Sequence, residues 1–424
     1  MTPSHAQSSS PAHRTLLAVG LGSLLFGAAS GRALAAVTDD DDPPTTTPVR
    51  EKIDQAALRS LSKANQEFAF DFYRTGITPG ENLVMSPYGI SECFALIHAG
   101  SNAETADGLQ HLFHYPVPPA DVLASFGNLR KHIDGQGRED TCRIDIASSC
   151  WAGKQTPVRP GYARNLESDL GGEIFSVDFS QARAVQEKMN AWVDENTNGL
   201  IKEAPGPVTP ADILVLMNTV FLDATWKVEF QKIDTSDRPF TLADGSSVDV
   251  PTMIQEHRHR YVETDDAQII ELPYVGDEVS MTLVLPKEGR SLADLEKTLS
   301  PEVLAGWDRS MKGRNVKLRL PRFKLTSSLD LKTLLGAMTS PGLFANLDLS
   351  RMLGVKSLVI SDASQDAVIK VDEQGTEAAA LTTVSVSRGI RPTPRLVEMT
   401  LDRPFLYLVR DRSAGTIYFM GRVV

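Results

Sequence analysis

The stretch with the clearest chemistry is residues 373–391, Glu-Gln-Gly-Thr-Glu-Ala-Ala-Ala-Leu-Thr-Thr-Val-Ser-Val-Ser-Arg-Gly-Ile-Arg. Between Glu377 and Arg388 lie ten residues with no charge, proline, aromatic or glycine, a composition suited to a β-strand. At period two the even positions Thr376, Ala378, Ala380, Thr382, Val384 and Val386 are all small or β-branched. Glu377, Ser385 and Ser387 fall on the odd face, so one face can enter a core while the other meets water. The stretch ends in Arg388-Gly389-Ile390-Arg391-Pro392-Thr393-Pro394-Arg395, a cationic, proline-interrupted run that reads as an exposed loop. A β-competent segment leading into an exposed arginine suggests a peptide offered as bait and later inserted as a strand. The plainer alternative is an ordinary strand followed by a surface loop.

No other constellation competes strongly. His111-x-x-His114 and His257-x-His259 have metal-like spacing but no Cys or carboxylate partner in a plausible motif, so they are read as exposed histidines, with no metal and no cofactor expected. There is no phosphate-binding glycine loop and no nucleophile elbow. An enzyme would have to rest on scattered Ser, His and Asp, and none is expected.

Composition sets the frame. With 424 residues, 42% hydrophobic and 23% charged, the chain can bury a sizeable core. The net charge of −11, with no dense Lys/Arg cluster, argues against nucleic-acid binding as the main task. His13 and Arg14, the apolar run Leu16 to Ala29 and the small-x-small site Ala33-Leu34-Ala35 have the layout of an export signal, placed at 1–36. Its removal would take the formal charge to −13. No Cys lies near that cut, so no lipid or membrane anchor is expected, and the product is read as exported, either periplasmic or secreted into the extracellular space. Residues 37–52, acidic and Pro-rich, read as a disordered tether. Three cysteines are few for an exported protein. Cys93 sits in an apolar helical pattern, and Cys142 and Cys150 on one continuous strand would stand roughly 26 Å apart at about 3.3 Å per residue, so free thiols are expected.

The positioning elements follow in order. Leu58, Leu61, Ala64, Phe68 and Phe72 mark a first helix, stopped at Gly76. Ser86-Pro87 caps a second, apolar almost all round and closed by Gly100. Another helix begins near Ala103. Residues 182–198 are amphipathic, with Val185, Met189 and Trp192 on one side. The apolar run 213–222 reads as a central strand covered on both faces, in which Asn218 must find hydrogen-bond partners. Strands dominate from 236, including Val279 to Leu285 and Val316 to Leu320, and the C-terminus reads as a buried hairpin. There is no βαβ rhythm and no repeat, so the class is α+β in one domain, 53–424.

Taken together these stretches resemble the serpins, the serine protease inhibitor family. The match runs through Asn82…Ser86-Pro87 with Gly100 and Thr105; Asn190-Ala-Trp-Val193…Thr197-Asn-Gly199-Leu-Ile201; Asn218 with Trp226; Val316 to Phe323; Val371 to Ala380; Arg403-Pro404-Phe405; and Phe419-Met-Gly421-Arg422-Val423. The resemblance implies helices packed around three β-sheets with an exposed reactive-centre loop, and a monomer whose partner is a target serine protease held as a covalent acyl-enzyme. It implies hinge residues Glu373, Gly375, Thr376, Glu377, Ala378, Ala379 and Ala380, with Trp226 and Arg322 at the loop entrance and Arg322 suited to pair with Glu373. In the family the attacked residue lies thirteen or fourteen positions past the hinge glycine, giving Arg388 or Gly389. Arg388 is chosen because its guanidinium suits the acidic base of a trypsin-like pocket. A cluster controlling sheet opening maps to Ser86, Gly89, Asn218 and Gln365, where Gly89 replaces a usual serine and Gln365 a usual histidine. The implied activity is that of a suicide substrate whose cut loop inserts into the main sheet. The alternative is a non-inhibitory binding or chaperone-like relative whose loop is merely cut.

Overall fold

The structure, a computed structural model, describes residues 54–134, 142–204, 206–340, 342–360, 363–376 and 396–424. The expected leader and tether, hinge residues Glu377 to Ala380 and the Arg388–Gly389 bond lie outside the described residues.

The apolar helical stripes become the floor of the molecule. The helix Gln55–Gly76 starts on the Asp54 carboxylate, which accepts from the Ala56 and Ala57 amides, and buries Leu58, Leu61, Phe68 and Phe72. The helix Pro87–Gly100 is capped by Ser86, opened by Pro87, and buried on almost every side. The helix Ala182–Asn196 carries Val185, Met189 and Trp192 inward as its periodicity predicts.

Among the described residues three sheets pack on these helices. The largest holds the C-terminal hairpin, Phe405–Asp411 with Ile417–Val423, beside Val279–Pro286, all nearly fully buried. Its far side carries Ser247–Glu263 and Lys312–Pro321, joined in parallel by Val397–Thr400, the strand with which the described chain resumes. The main sheet has six strands, in the order Phe323–Asp330, Ser364–Val371, Gly375–Thr376, Leu214–Thr225, Cys142–Gly153 and Glu173–Val177. A two-stranded ribbon completes the set.

The strand Leu214–Thr225 is covered on both faces, as its unbroken apolar run implies. Leu216, Val220 and Leu222 face the main core, while Val215 and Met217 join Met189, Trp192 and Val193 under the helix Ala182–Asn196. Many of its residues are nonetheless only half-buried, because one long edge of the strand is open. None of the three cysteines forms a disulfide, and Cys142 and Cys150 lie on one strand. Burial pushes the Cys150 thiol up to about 12.

One expectation fails. His257 is exposed, but His259 on the same strand is buried, and burial followed by the neighbouring His257 drives its pKa down to about 4. The two histidines are two residues apart and lie on one face of the strand, with ring centroids 5.5 Å apart, yet only the second is covered.

Candidate functional site: a hinge at the head of an open sheet

The strands Leu214–Thr225 and Ser364–Val371 are each fully paired on their outer sides, with Cys142–Gly153 and Phe323–Asp330. Between them the only described strand is the two-residue Gly375–Thr376. Thr376 pairs with both Val371 and Ala224, and Gly375 with Thr225. Below that point two strand edges face each other with no strand between them among the described residues. A cavity of about 670 Å³ occupies the gap, reaching Cys93 and Phe94 of the buried helix on one side and Met189 and Val193 on the other. Cys93 is only partly covered because it faces this hollow, and burial, with Glu92 second, pushes its thiol up to about 12. Two sheet edges with unspent backbone donors and acceptors are a template for one more strand. The helix Ala182–Asn196 packs on the Leu214–Thr225 side of this gap, against Val215 and Met217.

The head of the gap is tightly held. A Cβ on Gly375 would come 1.9 Å from the Ala224 carbonyl oxygen, so only glycine lets the chain approach that strand. Thr376 is buried, and its hydroxyl lies 2.7 Å from that of Tyr274. Tyr274 stacks on Trp226 with ring centroids 4.5 Å apart. Trp226 in turn donates from Nε1 to the Asp372 carbonyl at 2.9 Å and from its amide to that of Gln374 at 2.8 Å. The Glu373 carboxylate accepts from Arg322 Nε at 2.8 Å and from the Thr235 hydroxyl at 2.5 Å, with a further contact from the Arg322 guanidinium. Burial works against the Glu373 charge, yet the Arg322 and Thr235 hydrogen bonds prevail and hold its carboxyl below the ordinary value. Trp226 and Arg322 thus meet the hinge directly, and the Arg322–Glu373 pair expected from sequence is present.

The middle of the gap is different. Ser86 accepts from the Gly89 amide at 3.1 Å and donates to the Tyr418 carbonyl at 2.8 Å. Gln365 clasps the Ser86 backbone in both directions, accepting from its amide and donating to its carbonyl, each at 3.0 Å. Gly89 leaves room for Asn218: a Cβ there would stand 2.7 Å from Asn218 Oδ1. Ser86, Gly89, Asn218 and Gln365 therefore do line one cavity, with Gln365 on one edge and Asn218 on the other.

Asn218 finds its partner in Ser148, directly opposite on the next strand, at 3.1 Å. Ser148 donates to Glu92 at 2.8 Å and accepts from Arg130 at 2.9 Å, and Arg130 also grips Glu92. Sequence reasoning missed Glu92, Arg130 and Ser148. Glu92 offered a signal, being the one acid in an otherwise apolar helix, where a buried carboxylate demands a cation.

A Ser–His–Asp cluster does occur away from the gap, but Ser413 and Asp411 both meet the same nitrogen of His132, Nε2, at 3.2 and 3.1 Å. A relay needs the acid on one ring nitrogen and the hydroxyl on the other, so this is not the geometry of a nucleophilic triad.

A six-stranded sheet headed by Gly375–Thr376, packed with helices and two further sheets among the described residues, defines the class of fold. The family model described as Serpin (serine protease inhibitor) matches residues 63–424, and the chain belongs to that family. Rat neuroserpin is 31% identical over 360 residues, covering 81% of this chain and 86% of its own length. Leukocyte elastase inhibitor A of the rat is 31% identical over 384 residues, covering 86% and 99%. Among solved structures, human thyroxine-binding globulin complexed with its hormone superposes with a TM-score of 0.77 at 26% identity, covering 87% of this chain and 98% of that one. The fold is that of the serpins.

Proposed function

We propose that the protein inhibits trypsin-like serine endopeptidases as a suicide substrate. The observation that carries this reading is the gap, which no strand among the described residues spans below its head at Gly375 and Thr376. The protease attacks the carbonyl carbon of Arg388, or of Gly389 where the enzyme prefers small residues. The protease's serine displaces the leaving amine and an ester joins it to the loop. The freed strand then continues the hinge register into the gap. Counting on from Thr376 opposite Ala224 and Val371, Ala378 falls between Leu222 and Ile369, and Thr382 between Asn218 and Gln365. The even positions share the core face with Leu216, Val220 and Leu222. They are small and uncharged, and burying even one unpaired charge there would cost several kcal/mol. Both strand edges gain backbone partners in the same step, which is the driving force of strand addition to an open sheet. An exported, monomeric inhibitor fits the leader-like residues 1–36.

A second reading has one specific observation behind it. Gly89 and Gln365 depart from the family pattern at the centre of the gap, and thyroxine-binding globulin, a hormone carrier by its name, shares the fold. In that case the loop is only a substrate.

Incubation with trypsin separates the two. An inhibitor yields a covalent complex that survives boiling in detergent and is lost in Arg388→Ala. A carrier yields cleaved loop and active trypsin, and that result would overturn the proposal.

A further inference from the structure

Exposed cations gather at one end of the strand Lys312–Pro321. Arg309 closes the helix before it, and Lys312 and Arg314 lie on one face of it, whereas Arg258 on the antiparallel partner Ser247–Glu263 is opposite Asn315 and belongs to the other face. None of Arg309, Lys312 and Arg314 has an ion-pair partner among the described residues, whereas their neighbours Arg260 and Arg319 are matched with Glu271 and Glu398. The one acid between residues 303 and 316, Asp308, is already engaged by Arg410. Across the strands the neighbours are neutral or weakly basic: Asn315 faces Arg258, His259 faces Arg314 and Tyr261 faces Lys312. Lys317 is not part of the group, because Glu256 faces it across the strand pair. In a chain of net charge −11 this is an uncompensated positive surface.

Its location gives it a partner. The strand Val397–Thr400 runs parallel to Val316–Arg319, so the chain returning from the loop joins the sheet immediately beyond the cationic end. A body engaged on the loop's C-terminal side comes down beside Lys312 and Arg314. The loop's own Arg388, Arg391 and Arg395 add charge of the same sign.

We infer that Arg309, Lys312 and Arg314 form a docking surface for an acidic rim on the target protease, speeding encounter and favouring acidic proteases. This rests on the protease-inhibitor reading. The surface acts before the bond is cut, so its signature is the rate of attack on the loop, not the fate of the acyl-enzyme.

The test compares an anionic with a cationic trypsin, measuring the second-order rate of loop attack as cleaved plus complexed product. Salt is varied from about 0.05 to about 0.5 M. The wild type should react about tenfold faster with anionic trypsin at low salt, the advantage fading as salt rises. The double variant R309E/K312E should lose most of that advantage with an unchanged melting temperature, Arg314→Gln should lose part of it, and Arg258→Gln, on the other face of the sheet, should keep it. Equal rates and salt slopes in wild type and variants would overturn the assignment. So would a loss of heparin binding with no change in rate, which would assign the surface to a polyanion. The split between complex and cleaved loop reports separately on inhibition: the same rate pattern with cleaved product alone keeps the surface and sinks the inhibitor reading.

Discussion

The head and the middle of the gap solve opposite problems within one sheet. At the head, a hinge strand is fixed on both sides by ladder pairing, a stacked aromatic pair and a charged clasp between Arg322 and Glu373. In the middle the two edges stay apart, and each is satisfied sideways: Gln365 by the Ser86 backbone, Asn218 by Ser148. One end commits the chain to entering, while the other keeps the space free without leaving its key side chains unbonded. The metastability that the proposed inhibitor reading requires needs no strained residue. It needs only that the best partner for two open edges sits elsewhere in the same chain.

Acid should separate the two ends most. His98 lies in the buried helix under the middle, against Tyr115, and burial, with Arg351 second, lowers its pKa from 6.5 to about 4. A histidine that resists protonation when folded stabilises fully above pH 6.5, and that stability drains as pH falls toward 4, by about 3 kcal/mol at the limit. The Glu373 carboxyl is held low instead, so its contribution is intact through that window and is lost only as pH drops below the ordinary carboxylate value near 4.3. Hydrogen exchange at pH 7 and pH 5 should therefore show the buried helix loosening first, with the hinge amides still protected. Simultaneous loss would erase the distinction.

Gly375→Ala attacks the head directly. Its Cβ overlaps backbone, which has little freedom to move, so a loss of about 3 kcal/mol is expected in denaturant unfolding, together with new proteolysis at the hinge. Glu373→Gln should cost on the order of 2 kcal/mol, less than a fully enclosed ion pair because Arg322 is partly exposed. Its thermal stability should become flatter below pH 5 than that of the wild type. Gly89→Ser tests the middle: the added atoms meet the tip of a side chain that can rotate, so about 1 kcal/mol is expected, measured by thermal unfolding. A Gly89→Ser loss larger than that of Gly375→Ala would reverse the ranking of the two ends.

What sequence conveyed and what it hid follow from locality. The hinge composition, the Ser86 cap and the amphipathic helices are local patterns and were readable. Arg322 and Glu373 were paired in advance through the family resemblance, since 51 residues separate them. The gap was not readable, because an open edge and a paired edge have the same alternation of side chains. The seating of Thr376 inside the sheet was hidden for the same reason. Ser148 could not be told from any other strand serine until Asn218 stood opposite it.

The seated pair Gly375–Thr376 has a kinetic consequence. Forming a new sheet strand is slow mainly at its first contacts, where chain must be ordered before any ladder rewards it. On the proposed inhibitor reading that initiation is already complete at Gly375–Thr376, and growth would proceed like a zipper whose slider is engaged, each added residue bonding to left and right together. The race between capture and escape of an acylated protease would then be set by how fast the seam closes, not by the search for its starting point.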